Sequence, residues 1–203
     1  ATWLSWPTRS TPSPTHLATL PEQLPERTFS YYLTFRQKRN GRLEEFRSTG
    51  EGETFAQAAS FKLNITNPQA GFLYLLNAEP TANGEDALTL LFPLNSVRNG
   101  SAQLAAGENL ATSDYNFTQT SGTDRFLIVW GAQPIPALEA VRDVVNAQEQ
   151  GRITQAQQLA DVRAFLRQHP VEQFTRQSDS FGKLTTIRGR GDVLIAAVTL
   201  KHN

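Results

Sequence analysis

The chain has 203 residues, with 19 Lys and Arg against 19 Asp and Glu, and it contains no Cys and no Met. A formal net charge of zero gives no field to attract nucleic acid or an anionic membrane surface. Without Cys there are no disulfides, thiolate nucleophiles or Cys-based metal sites. No stretch approaches the roughly 20 apolar residues of a membrane span. Because Met is absent even at position 1, we expect a processed piece of a longer protein, with any signal or anchor outside it.

Residues 1–27 are rich in proline, which breaks helices and strand ladders and favours an extended tether. One interpretation is a disordered end. The alternative is a stalk that leaves a membrane or a preceding domain, with Trp3, Leu4 and Trp6 near the interface. The prolines of this segment are Pro7, Pro12, Pro14, Pro21 and Pro25.

From Thr28 onward the apolar residues recur with a period of two, which is typical of strands. TFSYYLTFRQ and LEEFRS flank Asn40-Gly41, a pair suited to a tight hairpin turn. We therefore predict a hairpin with Tyr31, Leu33 and Phe35 on its inner face. The next strand, SFKLNIT, places a second set inward, namely Phe61, Leu63 and Ile65.

Four later segments are apolar on both alternating faces, as expected of strands that are covered on both sides. They are GFLYLLN, ALTLLFP, RFLIVW and DVLIAAVTL. Two amphipathic segments could cover the second face, one near 136–147 with Pro136 in its first turn and one near 154–169. In the second, Thr154 and Gln157 have the spacing of a capping box.

Because these helices follow most of the strands instead of alternating with them, we predict a mainly β fold. It is an antiparallel β-sandwich with two α-helices packed on it, α+β by count. A single domain spans 28–203, and a final hairpin joins GKLTTIRG to DVLIAAVTL.

The sequence indicates no catalytic or cofactor-binding constellation. None of the histidines, His16, His169 and His202, lies beside a candidate nucleophile in the sequence. The G-x-S-x-G, H-E-x-x-H and Walker-type patterns are absent. We expect His169 to lie at a helix C-terminus and to interact with the helix dipole.

The connector in GFLYLLNAEPTANGEDALTLLFP carries oxygen donors that could hold Ca²⁺, namely Glu79, Asn83, Glu85 and Asp86. Their spacing matches no calcium loop. Asn83-Gly84 suits a turn, so we predict a solvated bend between neighbouring strands and no metal site.

IRGRGDV, residues 187–193, contains an R-G-D tripeptide and two arginines that could bind an anion. A hairpin turn explains its glycines without a ligand. As possible interaction loops we name Asn83, Glu85 and Asp86 in the connector, and Arg188, Arg190 and Asp192 in this turn.

The order of several short motifs resembles a bacterial domain-of-unknown-function family. These are Gly71-Phe72-Leu73-Tyr74-Leu75, Leu91-Phe92-Pro93, Ala106-Gly107, Gly122-Thr123-Asp124 and Pro134. The resemblance covers about 50–136, and TANGED lengthens a turn that is short in the family. Members are often the C-terminal accessory module of kinase-linked or caspase-linked envelope proteins. The resemblance implies a β-sandwich without known catalytic residues.

The leading hypothesis is a non-enzymatic accessory module for sensing or protein interaction in a bacterial membrane-tethered protein. Its partner would be an unknown protein or small ligand, with no nucleic acid and with the membrane reached only through a segment outside this chain. The expected location is extracytoplasmic; the alternative is cytoplasmic. Two other functions stay open, a hydrolase built from loop carboxylates and a carbohydrate-binding module. We expect Phe72, Tyr74, Phe92 and Trp130 to be core residues.

Overall fold

The structure is a computed structural model that describes residues 24–95, 97–117, 121–145, 151–171, 174–179, 181 and 183–203. Thirteen strands, two α-helices and one turn of 3₁₀-helix (Arg98–Gly100) lie in these ranges. The strands are β1 (Glu26–Arg39), β2 (Arg42–Ser48), β3 (Thr54–Phe55), β4 (Ser60–Thr66), β5 (Gly71–Pro80), β6 (Asp86–Phe92), β7 (Gln103–Leu104), β8 (Asn109–Ala111), β9 (Tyr115–Asn116), β10 (Gly122–Gly131), β11 (Phe174–Ser178), β12 (Thr185–Arg190) and β13 (Val193–His202); the helices are α1 (Pro136–Val144) and α2 (Ala156–Gln168).

The strands form two sheets. The first has the order β11-β12-β1-β4-β8, with β2 also paired to β1 and β9 also paired to β4. The second has the order β3-β13-β10-β5-β6, with β7 also paired to β5. The pairing is antiparallel except between β13 and β3. The predicted β-sandwich with two helices is therefore confirmed.

The space between the sheets is filled by side chains that alternate along the strands, as the period-two pattern predicts. Tyr31, Leu33 and Phe35 of β1 are buried, and so are their counterparts in β4. The rings of Phe35 and Phe55 stack with centroids 3.7 Å apart. The predicted hairpin between β1 and β2 is also confirmed, with positive φ at Asn40 and Gly41.

The outer face of the second sheet carries a separate apolar cluster beneath the helices. Leu138 and Val141 of α1 and Val162 of α2 are fully buried in it. The hydroxyl of Tyr74 donates a hydrogen bond to Glu139 Oε1 at 2.5 Å and accepts one from the backbone N–H of Ile135 at 3.1 Å. The helices thus cover the second apolar face, as the sequence predicts.

The predicted final hairpin is wrong. β12 pairs with β1 and β11 in the first sheet, whereas β13 pairs with β10 and β3 in the second. The turn at Gly191 and Asp192 therefore carries the chain from one sheet to the other. The apolar patterns of the two strands are satisfied equally well on opposite walls of the core, so sequence alone does not distinguish a hairpin from such a corner.

Smaller differences concern element boundaries. β1 begins at Glu26, so the last two residues of the predicted tether belong to a strand, and 1–23 lie outside the described residues. α1 ends at Val144, while 146 and 147 of the predicted helix lie outside the described residues. The N-cap of α2 is Gln155, one residue after Thr154 of the predicted capping box, and Gln155 makes no side-chain capping hydrogen bond. His169 is the C-cap, as expected, and its Nδ1 lies 3.0 Å from the carbonyl of Phe165.

Candidate functional site

Inward-facing positions of the second sheet change from apolar to polar at one end of the sandwich. Along β5, Leu73 and Leu75 face the core, and the next side chains on that face are Asn77 and Glu79. In β10, Asp124 lies two residues before the buried Phe126 and on the same face. β13 repeats the change, with His202 after the buried Leu200. Three adjacent strands therefore bring polar groups into the space between the sheets.

This end of the sandwich contains a hollow of about 460 Å³, which we call the inter-sheet hollow. Phe126 forms part of its wall, and its ring meets that of Phe61 edge to face at 5.2 Å. The polar lining includes Asn77, Glu79, Thr89, Asp124, Tyr115 and Asn116.

Two carboxylates lie on neighbouring strands of the hollow. The register pairs Ala78 with Arg125, and one step further it sets Glu79 beside Asp124. Burial raises the pKa of Asp124 above its ordinary value, His202 lowers it and the Glu79 carboxylate raises it further. Glu79 accepts a hydrogen bond from Asn77 Nδ2 at 3.2 Å. Among the described residues it has no cationic partner within ion-pair distance.

His202 is one of the residues that sequence reasoning missed. Its Nε2 lies 3.3 Å from Asp124 Oδ2, and its ring stacks on Phe117 with centroids 4.4 Å apart. The ring is buried, and its Nδ1 has no hydrogen-bond partner in the described part of the chain. The sequence contained a signal for this position, since His202 continues the alternation of Val198 and Leu200. Because β13 is apolar on both faces, the sequence did not show which of its faces points into the core.

A cation reaches the hollow from a segment that follows α1. Residues 151–153 lie along the edge of β6, where Leu90 N–H donates to the Gly151 carbonyl at 2.8 Å and Ile153 N–H donates to the Leu88 carbonyl at 3.0 Å. Gly151 has φ of 85°, and a Cβ there would lie 1.9 Å from the Leu90 oxygen, so only glycine fits. This contact places Arg152 in the lining. Within the described ranges Arg152 forms no ion pair or hydrogen bond.

The predicted interaction residues of the connector lie on the outside of the second sheet. Glu85 pairs with Arg163 of α2 at 2.5 Å, and Asp86 pairs with Arg125 at 3.3 Å. They border a shallow groove of about 360 Å³ that also contains Arg167. Asn83 is exposed at the tip of the turn.

The residues predicted in the 187–192 turn lie apart from the connector. Arg188 and Arg190 belong to β12 of the first sheet, and Asp192 lies just before β13, at the opposite end of the second sheet from the connector. The Asp192 carbonyl accepts a hydrogen bond from Ala132 N–H, just after β10 ends. Asp192 pairs with Arg27, and Arg188 pairs with Glu26, each at 3.5 Å. Arg190 ends β12. The structure therefore does not bring the two predicted interaction loops together.

The four oxygen donors considered for Ca²⁺ do not converge. Glu79 lines the inter-sheet hollow, whereas Glu85 and Asp86 border the outer groove. In the ranges that the structure describes, no group of three or more His, Asp or Glu side chains is arranged to hold a metal ion. Gly84 has φ of 77°, as the predicted turn requires.

The aromatic residues of the sequence motifs pack as core. Tyr74, Phe92 and Trp130 have at most 1% of their surface exposed, and none of them lines the hollow. Phe72 is partly buried against the helix-covered cluster. Among the described residues, no helix is both long enough and apolar enough to cross a membrane.

Comparison of the chain with protein-family models, with curated proteins and with solved structures yields no match. The arrangement of the hollow therefore has to be interpreted from its own chemistry. Its inner end offers hydrogen-bond acceptors from Asn77, Glu79 and Asp124, and Arg152 offers donors.

Proposed function

We propose that the chain is a non-enzymatic accessory module that senses a small ligand bound in the inter-sheet hollow. One observation carries the proposal: the sandwich is otherwise packed, but inward-facing polar side chains of β5 and β10, namely Asn77, Glu79 and Asp124, border a hollow of about 460 Å³. Polar groups at core positions cost free energy unless something binds them. Ligand pockets commonly have volumes of about 300–1,000 Å³ and a few convergent polar groups.

A substitution that fills the hollow tests this function. Thr89 lines the hollow, and Thr89→Phe would occupy it, while Thr175→Phe adds the same ring on the exposed surface of β11. We expect some member of a metabolite library to raise the Tm of the natural protein and of Thr175→Phe but not of Thr89→Phe. A library without any stabilising member, or stabilisation that persists in Thr89→Phe, would refute the proposal.

A second candidate function is glycoside hydrolysis. It is favoured by the juxtaposition of Glu79 and Asp124, because retaining enzymes use two carboxylates about 5–5.5 Å apart, one of them with a raised pKa. Assays with aryl glycosides would test it. Turnover that disappears in both Glu79→Gln and Asp124→Asn would establish hydrolysis, and an absence of turnover would leave binding as the function.

We also propose that the module works outside the cytoplasm, joined by the proline-rich residues 1–25 to a membrane-anchored protein. The composition of that segment supports the tether, and the resemblance to an envelope-linked family, which stays a prediction, supports it by analogy. The natural protein should resist added protease in intact cells and be cleaved in spheroplasts. Protection in both preparations would place it in the cytoplasm.

A sensory module has to pass its signal to a partner protein. For this role we propose the loop that holds Asn83 and Glu85, together with the outer groove beside α2. Support comes from its position, since the strands that flank this loop also contribute Asn77, Glu79 and Thr89 to the hollow. Surface loops on a rigid sheet are common binding elements.

A further inference from the structure

The hydrogen-bonding groups at the inner end of the hollow are unbalanced. Glu79 receives one donor, from Asn77, and the Oδ1 of Asn77 is buried without any donor in the described part of the chain. Asp124 is buried, and among the described residues its one close ionisable partner is the His202 ring. This end of the hollow therefore lacks donors, and an ammonium group, which has three N–H donors and no acceptor, supplies what is missing.

The charges at this end favour the same group. Glu79 and Asp124 lie side by side on adjacent strands, so their negative potentials add. A neutral hydroxyl would leave that potential uncompensated, whereas an ammonium group would pair with it in a setting partly shielded from water. A cationic amine is therefore favoured over a neutral saccharide.

The mouth of the hollow carries an unpaired cation. The other charged side chain there, Asp114, already pairs with Arg36 at 3.5 Å and with Lys62 at 3.8 Å. Arg152 is exposed there and has no ion-pair partner among the described residues, although Glu79 lines the same hollow. Its guanidinium group is suited to a bidentate contact with a carboxylate. Because Glu79 and Arg152 do not pair with each other, a ligand that carries both charges can satisfy both residues.

We infer that the hollow binds a small zwitterion of the amino-acid type, with its ammonium group against Glu79 and Asp124 and its carboxylate against Arg152. The inference rests on the proposed function of the hollow. Leu91 and Phe126 provide apolar wall for a side chain. The volume of about 460 Å³ accommodates an amino acid without filling the apolar core.

Calorimetry with chemically matched probes tests the ligand class. The standard L-amino acids are titrated one by one, and the best of them is compared with the amine that lacks its carboxylate, with the acid that lacks its amino group, and with methyl glucoside. For L-leucine the matched probes are isoamylamine and isocaproate. We expect the amino acid to bind at least about tenfold more tightly than either matched probe, since each removes one charged contact.

Two substitutions separate the two ends of the ligand. Glu79→Gln should weaken the amino acid and the amine by about tenfold or more and leave the acid unchanged, whereas Arg152→Gln should weaken the amino acid and the acid but not the amine. Glu44→Gln and Arg42→Gln are the matched controls, because both residues are exposed and neither lines the hollow. Both controls should bind like the natural protein.

The outcomes distinguish this inference from the proposed function. If methyl glucoside binds and Thr89→Phe abolishes that binding, the hollow is a ligand site but the zwitterion is the wrong class. If no amino acid binds, or if Glu79→Gln binds the amino acid unchanged, the inference is refuted, while the metabolite screen with Thr89→Phe still decides the proposed function.

Discussion

Asp124, which lines the inter-sheet hollow, contacts His202 in the core behind it, with Asp124 Oδ2 3.3 Å from His202 Nε2 and both side chains buried. They come from the start of β10 and the end of β13, where antiparallel pairing brings those ends together. Asp124 is part of the wall from which the ligand preference follows. It also gives the protein a measurable dependence on pH.

The first prediction concerns Asp124 and pH. Burial raises the pKa of Asp124 in the folded protein, so the folded state binds this proton more tightly than the unfolded chain does. The stabilisation that comes from protonated Asp124 is fully present below the ordinary pKa of Asp. It is lost as the pH rises through the pKa that Asp124 has in the folded protein. The free energy of unfolding, measured with urea, should therefore fall with rising pH in the natural protein relative to Asp124→Asn. If the difference in unfolding free energy between the two proteins stays constant or grows with pH, the prediction is wrong. Asp161→Asn, at an exposed position of α2, is the control.

A second prediction concerns the link between the second sheet and α1. Tyr74→Phe removes the hydroxyl that binds both Glu139 and the N–H of Ile135. We expect a loss of about 1–3 kcal/mol in the free energy of unfolding, because buried polar partners lose their hydrogen bonds. Tyr32→Phe, at a half-buried position on β1, should change stability much less. Equal effects of the two substitutions would show that the buried hydroxyl contributes nothing specific.

The third prediction tests how the chain delivers Arg152. Gly151→Ala introduces both a positive-φ penalty of about 1–2 kcal/mol and a Cβ that collides with the Leu90 carbonyl. Gly84 has a similar φ but open space around its Cα, so Gly84→Ala measures the positive-φ penalty without the collision. Gly151→Ala should be the more destabilising of the two in thermal unfolding. It should also weaken the binding of a carboxylate-bearing ligand, because residues 151–153 cannot keep their contact with β6.

The fourth prediction concerns the connector. Glu85→Gln breaks an ion pair with Arg163 in which Glu85 is largely exposed, so the free energy of unfolding should change by less than about 1 kcal/mol. Addition of a chelator should leave the Tm unchanged. A large fall in Tm on chelation would restore a calcium site at Glu79, Asn83, Glu85 and Asp86.

Much of the architecture follows from local patterns. Alternation identified the buried faces of β1 and β4, and the absence of alternation in the strands of the second sheet correctly required a second cover, which α1 and α2 provide. Asn40-Gly41 marked the first hairpin because that turn needs positive φ. Each of these signals lies within a short stretch of chain.

The residues of the candidate site could not be predicted from such local patterns. Glu79, Asp124, Arg152 and His202 come from separate parts of the chain, and none is distinctive beside its sequence neighbours. The sequence also suggested a hairpin at Gly191, where the chain instead crosses between the sheets.

The amino-acid sequence by itself determined that this protein is a β-sandwich with apolar side chains on both faces of its second sheet, because side-chain alternation and burial are local properties. Only the tertiary structure decided that polar positions of β5, β6 and β10 share one hollow. Strand pairing is non-local, and the register between distant segments determines which side chains become neighbours.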